Sequence, residues 1–92
     1  MYRILFYDYV DDILERRGPH REAHLAAVGK LRQEGMVVMG GAFADPVDGA
    51  VIVFNTENRS TIEAFVAEDP YVVNGLVTHW RIRDWNVVVA PQ

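Results

Sequence analysis

The residues best suited to chemistry in this chain sit together on one predicted helix face. Arg17, His20, Arg21 and His24 follow one another at spacings of three and four, and the same sector continues as Val28 and Leu31. At about 100° per residue these six side chains share one side of a helix. The apolar end of that sector has to pack on a core, so the polar end brings imidazoles and guanidinium groups to the rim of the same core. A helix N-terminus favours anions, and Arg17 and Arg21 add to that for a carboxylate or phenolate ligand. His24 is therefore the candidate general base or acid, with Arg17 and Arg21 as candidate substrate-binding residues. The alternative is a solvated helix face with His24 at the edge of the core.

A second group is Asp69-Pro70-Tyr71. Asp at an N-cap followed by Pro at the first helical position is a common start for a helical turn, here Pro70–Asn74 ahead of Gly75. That alone accounts for an aspartate. The functional alternative is that the Asp69 carboxylate hydrogen-bonds a histidine ring nitrogen, fixes its tautomer and orients it for proton transfer. Tyr71 is either packing or a hydroxyl donor to a substrate oxygen. His20 and His24 also have the four-residue spacing that can place two imidazoles on one metal ion. However, His20-Arg21-Glu22-Ala23-His24 lacks the zinc-protease arrangement and an indicated third ligand, and its neighbouring arginines repel a cation. Neither a metal nor another cofactor is expected.

The elements that must position these groups can be read from periodicity. Tyr2–Tyr9 is a strand with Ile4 and Phe6 on one face and Leu5, Tyr7 and Tyr9 on the other, apolar on both sides. Asp11–Arg16 forms a short helical turn. Pro19 opens a long helix that runs to about Glu34, with Gly35 as its stop. Met36–Phe43 and Ala50–Asn55 are strands joined by a turn-rich segment that holds Asp45-Pro46 and Asp48-Gly49. Ser60 and Glu63 fit a capping box for a second helix to about Glu68. Leu76–Val89 is the last strand, with Trp80 and Ile82 on one face and His79, Arg81, Arg83 and Trp85 on the other. His79 is expected as a partly exposed strand residue, and Trp80, Trp85, Phe6 and Phe54 as core or interface.

The resulting order, βαββαβ, is that of an α+β ferredoxin-like domain, an antiparallel sheet with two helices on one face. Strands apolar on both faces need a second cover. A second copy laid sheet to sheet supplies it, giving a homodimer with a barrel-like core.

Composition narrows the partners. With 92 residues, no linker and no internal repeat, residues 1–92 read as one domain, small enough to gain from dimerisation. Nine basic against thirteen acidic residues give a net charge of -4, which offers no general attraction to nucleic acid or anionic membranes. Val51-Ile52-Val53-Phe54 also lacks the basic–aromatic pattern by which this topology binds RNA. Zero cysteines exclude disulfides and thiolate chemistry. No apolar run is long enough to span a bilayer and no signal-peptide pattern is present, so a cytoplasmic protein is expected.

Several of these pieces occur in a specific joint order: Tyr2-Arg3-Ile4-Leu5-Phe6-Tyr7-Asp8, Arg17-x-x-x-Arg21-x-x-His24-Leu25, Gly35 ahead of Gly40-Gly41, and Phe65-Val66-x-x-Asp69-Pro70-Tyr71 with Gly75-Leu76. In this the chain resembles the YCII-related proteins over nearly its whole length. The resemblance implies a ferredoxin-like fold, a dimeric α+β barrel, and a pocket faced by a helix histidine and the Asp-Pro-Tyr aspartate, which match His24 and Asp69. It further implies enzymes acting on small, often aromatic or oxidised, compounds; related dimeric barrels include lactone isomerases and monooxygenases that work without metals. Ala42-Phe43 departs from the family pattern, in which a proline often follows the glycine pair, and this bears on the pocket wall. Val87–Val89 has no assigned role. Three functions are open: proton abstraction, elimination or isomerisation by His24 with Asp69; capture of a small acidic metabolite without turnover; and a structural dimer.

Overall fold

The computed structural model describes residues 1–91. Its elements are β1 (Tyr2–Tyr9), α1 (Ile13–Arg16), α2 (Gly18–Gln33), β2 (Val37–Ala42), β3 (Gly49–Asn55), α3 (Arg59–Glu68), α4 (Pro70–Val73) and β4 (Val77–Trp85). The four strands form one antiparallel sheet in the order β2-β3-β1-β4, and the helices pack on one face of it, the ferredoxin-like arrangement.

The alternation in β1 decides which face is which. Leu5, Tyr7 and Tyr9 are buried toward the helices, where Ile52 and Phe54 of β3, Ile82 of β4, Ile62, Phe65 and Val66 of α3, and Tyr71 complete the core. Phe54 and Ile62 are wholly buried. The other face of the sheet carries Ile4 and Phe6, opposite Val53 and Val51 on one side and Arg83 and Arg81 on the other. The Arg81 guanidinium lies 4.3 Å from the centroid of the Phe6 ring, so a cation–π contact partly covers an otherwise apolar surface.

Turn chemistry fixes the element ends. Gly35 takes φ 81°, a left-handed conformation that ends α2. A Cβ at Gly49 would collide with the Tyr7 carbonyl oxygen, so only glycine lets β3 start against β1 here. Two expectations are corrected. The Ser60–Glu63 capping box does not form: α3 starts at Arg59, two residues before the expected Thr61, with Asn58 as a cap that makes no side-chain hydrogen bond. The Asn58 carbonyl already accepts from the Thr61 amide, which places Ser60 inside the first turn. The last strand ends at Trp85, not Val89, because Trp85 pairs with Tyr2, where β1 begins, and the following residues have no strand beside them. Val88 and Val89 are almost fully exposed.

Among the described residues no helix is long and apolar enough to cross a membrane.

Candidate functional site

Asp69 lies between two helices and is 1% exposed. It ends α3 with extended dihedrals and caps α4, where Pro70 occupies the start of the turn. Its carboxylate accepts three hydrogen bonds. Oδ1 takes the Tyr71 backbone N–H at 3.1 Å and lies 2.7 Å from His24 Nδ1, while Oδ2 takes the Tyr7 hydroxyl at 2.8 Å. The turn-capping bond and the histidine contact are thus made by the same side chain. A carboxylate oxygen can only accept, so this geometry places the hydrogen of the neutral imidazole on Nδ1 and leaves Nε2 with its lone pair.

His24 is the one buried residue of α2, held there because its neighbours on that face, Ala27, Val28 and Leu31, pack against the core. Its ring stacks on Tyr71 with centroids 3.9 Å apart and planes 4° from parallel. This fixes the imidazole plane and gives its protonated form a cation–π partner. Tyr9 meets Tyr71 edge-on at 6.0 Å.

The imidazole borders a cavity of about 220 Å³ between α2 and the sheet. Tyr7, Tyr9 and Tyr71, Arg17 at the N-cap of α2, Arg21, Leu25 and Val28 within α2, and the strand residues Gly40, Gly41, Ala42, Ala50 and Ile52 complete its lining. No buried side-chain nitrogen or oxygen among the described residues lacks a partner, so with Nδ1 committed to Asp69 the free Nε2 is the ring atom open to this space. Burial pushes the Tyr9 hydroxyl up to about 12, and the nearby Tyr71 and Asp69 reinforce the shift while Arg17 and Arg21 oppose it. Burial likewise raises Tyr71, against the pull of the same two arginines, and raises Tyr7 still more strongly, with the Asp69 charge second. All three phenols are therefore neutral donors near neutrality. Among the described residues neither Arg17 nor Arg21 has a carboxylate within ion-pair distance. Two guanidinium groups at the rim of the cavity favour an anionic guest.

The structure thus brings together all five residues singled out from the sequence: His24, Asp69, Arg17, Arg21 and Tyr71. His20 is half-buried and outside the cavity lining, and among the described residues no group of three potential metal ligands forms. His79 is exposed on the open face opposite Asp8. Phe54 is core as expected, whereas Trp80 and Trp85 are 37% and 46% exposed. Sequence reasoning missed the polar parts of Tyr7 and Tyr9, treating them only as apolar strand residues. The available signal was that a buried tyrosine hydroxyl needs a partner, and the face shared with Leu5 pointed two of them inward.

Comparison with known proteins bears on the fold and the family. An uncharacterised protein of Haemophilus influenzae is 29% identical over 100 aligned positions, spanning 99% of this chain and 95% of its own length. The solved structure of 5-chloro-2-hydroxyhydroquinone dehydrochlorinase (TftG) from Burkholderia phenoliruptrix, in complex with 2,5-dihydroxybenzoquinone, superposes with a TM-score of 0.79 at 20% identity, covering 94% of each chain. An antibiotic biosynthesis monooxygenase matches with a TM-score of 0.55 at 16% identity over 97% of this chain and 100% of that one. A protein of Agrobacterium tumefaciens matches with a TM-score of 0.56 at 13% identity over 98% and 96%. These structures share the fold. The model of the YCII-related domain matches residues 1–86, and the chain belongs to the YCII-related family.

Proposed function

We propose that the protein is a small-molecule enzyme in which His24, oriented by Asp69, moves a proton on an acidic aromatic or carbonyl compound held by Arg17 and Arg21. The observation that carries this reading is the 2.7 Å contact of His24 Nδ1 with a buried carboxylate, which leaves Nε2 free at the cavity. Nε2 takes a proton from a C–H or O–H of the ligand, and the electron pair left behind expels a leaving group or shifts along a conjugated system. The proton then returns to the departing group or to another carbon, so an elimination or isomerisation closes without a cofactor. Positioned proton transfer contributes about two to four powers of ten in rate. Tyr71 and Tyr9 serve as neutral donors to developing oxyanions in the same cavity. The dehydrochlorinase complexed with a dihydroxybenzoquinone supports an oxygenated ring as the ligand class.

The functional unit in this reading is a homodimer, because the open sheet face carries Ile4, Phe6 and Val51, each half-buried beside the buried Val53, an apolar surface that a second copy would cover.

The test is to follow solvent deuterium entering hydroxyquinols, hydroxyquinones and 1,3-dicarbonyl compounds by NMR, alongside chloride release from 5-chloro-2-hydroxyhydroquinone. Turnover by the wild type that falls about 100-fold or more in His24→Ala and drops in Asp69→Asn supports the assignment. Compounds that bind without exchange or release would instead identify a binding module for small acids.

A further inference from the structure

The cavity exists because side chains are missing from the sheet beneath α2. Gly40 pairs with Ile52 and Ala42 pairs with Ala50, and all four face the helices. Three of these four positions hold one glycine and two alanines, so beneath Leu25 and Val28 of the helix only Ile52 offers a branched side chain and the rest of the space stays unfilled. The lining is graded, basic at Arg17 and Arg21 and apolar at Leu25, Val28 and Ile52. A guest with an acidic head and an apolar body fits that gradient.

Volume then limits the body. An apolar cavity of about 150 Å³ holds one benzene molecule, so about 220 Å³ accommodates one six-membered ring with a few substituent atoms. Gly40 needs no special backbone angle. A Cβ added there would meet Ile52 Cγ1 at 3.4 Å and the Val51 carbonyl oxygen at 3.5 Å, ordinary van der Waals distances. The fold therefore does not require glycine at this position, whereas the open space does.

Resting on the acid-binding reading above, we propose that Gly40 is the specificity-determining residue of the cavity, admitting one substituted six-membered ring that bears an acidic group and excluding fused bicyclic acids. Larger residues at this position fill the space otherwise occupied by a ring substituent and confine the site to smaller acids.

Isothermal titration calorimetry with benzoate, 4-hydroxybenzoate and 2-naphthoate tests this on the wild-type chain and on Gly40→Ala and Gly40→Val. The expected result is binding of both monocyclic acids by the wild type, with 2-naphthoate at least tenfold weaker. Gly40→Ala should weaken 4-hydroxybenzoate about tenfold, and Gly40→Val should weaken it further, with melting temperatures close to wild type. Equal affinity for 2-naphthoate and benzoate in the wild type, which needs no variant to fold, overturns the size limit while leaving acid binding intact. Unchanged affinity in a folded Gly40→Ala overturns the role of Gly40. If none of the three acids binds the wild type, the acid-binding reading fails and the size limit with it.

Discussion

Replacing Tyr7 by Phe removes one oxygen atom from the core and leaves Asp69 Oδ2 without the donor that sits 2.8 Å away. Both residues are 1% exposed, so bulk water does not take the place of the lost hydroxyl. A buried acceptor stripped of its partner costs about 1–3 kcal/mol, and hydrogen bonds to carboxylates lie in the upper part of that range. We therefore expect a loss of about 2 kcal/mol, a large part of the roughly 5–15 kcal/mol that holds a domain together. For a chain of this length each kcal/mol shifts the melting temperature by about 4–8 °C, so the fall should be about 8–16 °C. Tyr9→Phe is the control. It removes the same atom from the same face of β1, but Tyr9 lines the cavity and its hydroxyl bonds no protein group among the described residues, so no buried acceptor is stripped of its partner and the loss should be well below that of Tyr7→Phe. The assay is urea unfolding of both variants at one protein concentration, with calorimetry as a second probe. Equal stabilities for the two variants would refute the idea that Tyr7 holds the carboxylate.

Alkaline stability follows from the raised phenols. Tyr7 and Tyr9 hold their protons more tightly when folded than an ordinary tyrosine near 10, so the unfolded chain loses those protons first. Stability is complete below pH 10 and falls above it, by about 1.4 kcal/mol per pH unit for each such tyrosine until its folded value is reached, about 12 for Tyr9. Tyr9→Phe should therefore show a shallower decline between pH 10 and 12 in chemical denaturation, and an unchanged slope would contradict the burial argument. The open sheet face predicts a light-scattering mass of twice the chain's 10.4 kDa, reduced to the monomer by Phe6→Asp. A monomeric wild type would remove the need for a cover over Phe6.

Much of this architecture was legible because period and punctuation agree. Tyr2–Tyr9 alternates cleanly, Gly35 stops α2, and Asp69-Pro70 announces the turn that became α4. The His24 position was legible from helix geometry alone, since a residue four before Val28 and seven before Leu31 must share their face. Apart from the start of α3, what failed depended on neighbours remote in sequence. The length of β4 is set by where β1 begins, which no local pattern along Leu76–Val89 reveals. The cavity wall was hidden by an irregularity: β2 shifts register between Val37 and Met39, so Val37, Gly40 and Ala42 share the helix-facing side. Strict alternation would have grouped Val37 with Met39 and Gly41 instead.

Asp69 ties the stability of the fold to the geometry of the site. Its Oδ1 accepts from the Tyr71 amide and also contacts the His24 ring, so the oxygen that caps the four-residue α4, and with it places the stacking phenol, also orients the imidazole. Oδ2 joins the pair to the central strand through Tyr7. A truncation at position 69 would thus empty a cap, release a tyrosine and free a histidine at once, and its lost activity would say little about chemistry. Asp69→Asn is the informative substitution. With its amide oxygen at the Oδ1 position it keeps the bonds to His24 and Tyr71, and with its amide nitrogen toward Tyr7 it finds a hydroxyl that can turn and accept. Shape and tautomer are then retained while the carboxylate charge is lost. A folded Asp69→Asn variant with its His24 tautomer intact but with slowed proton transfer would locate the contribution of Asp69 in its charge, beyond its placement of the ring.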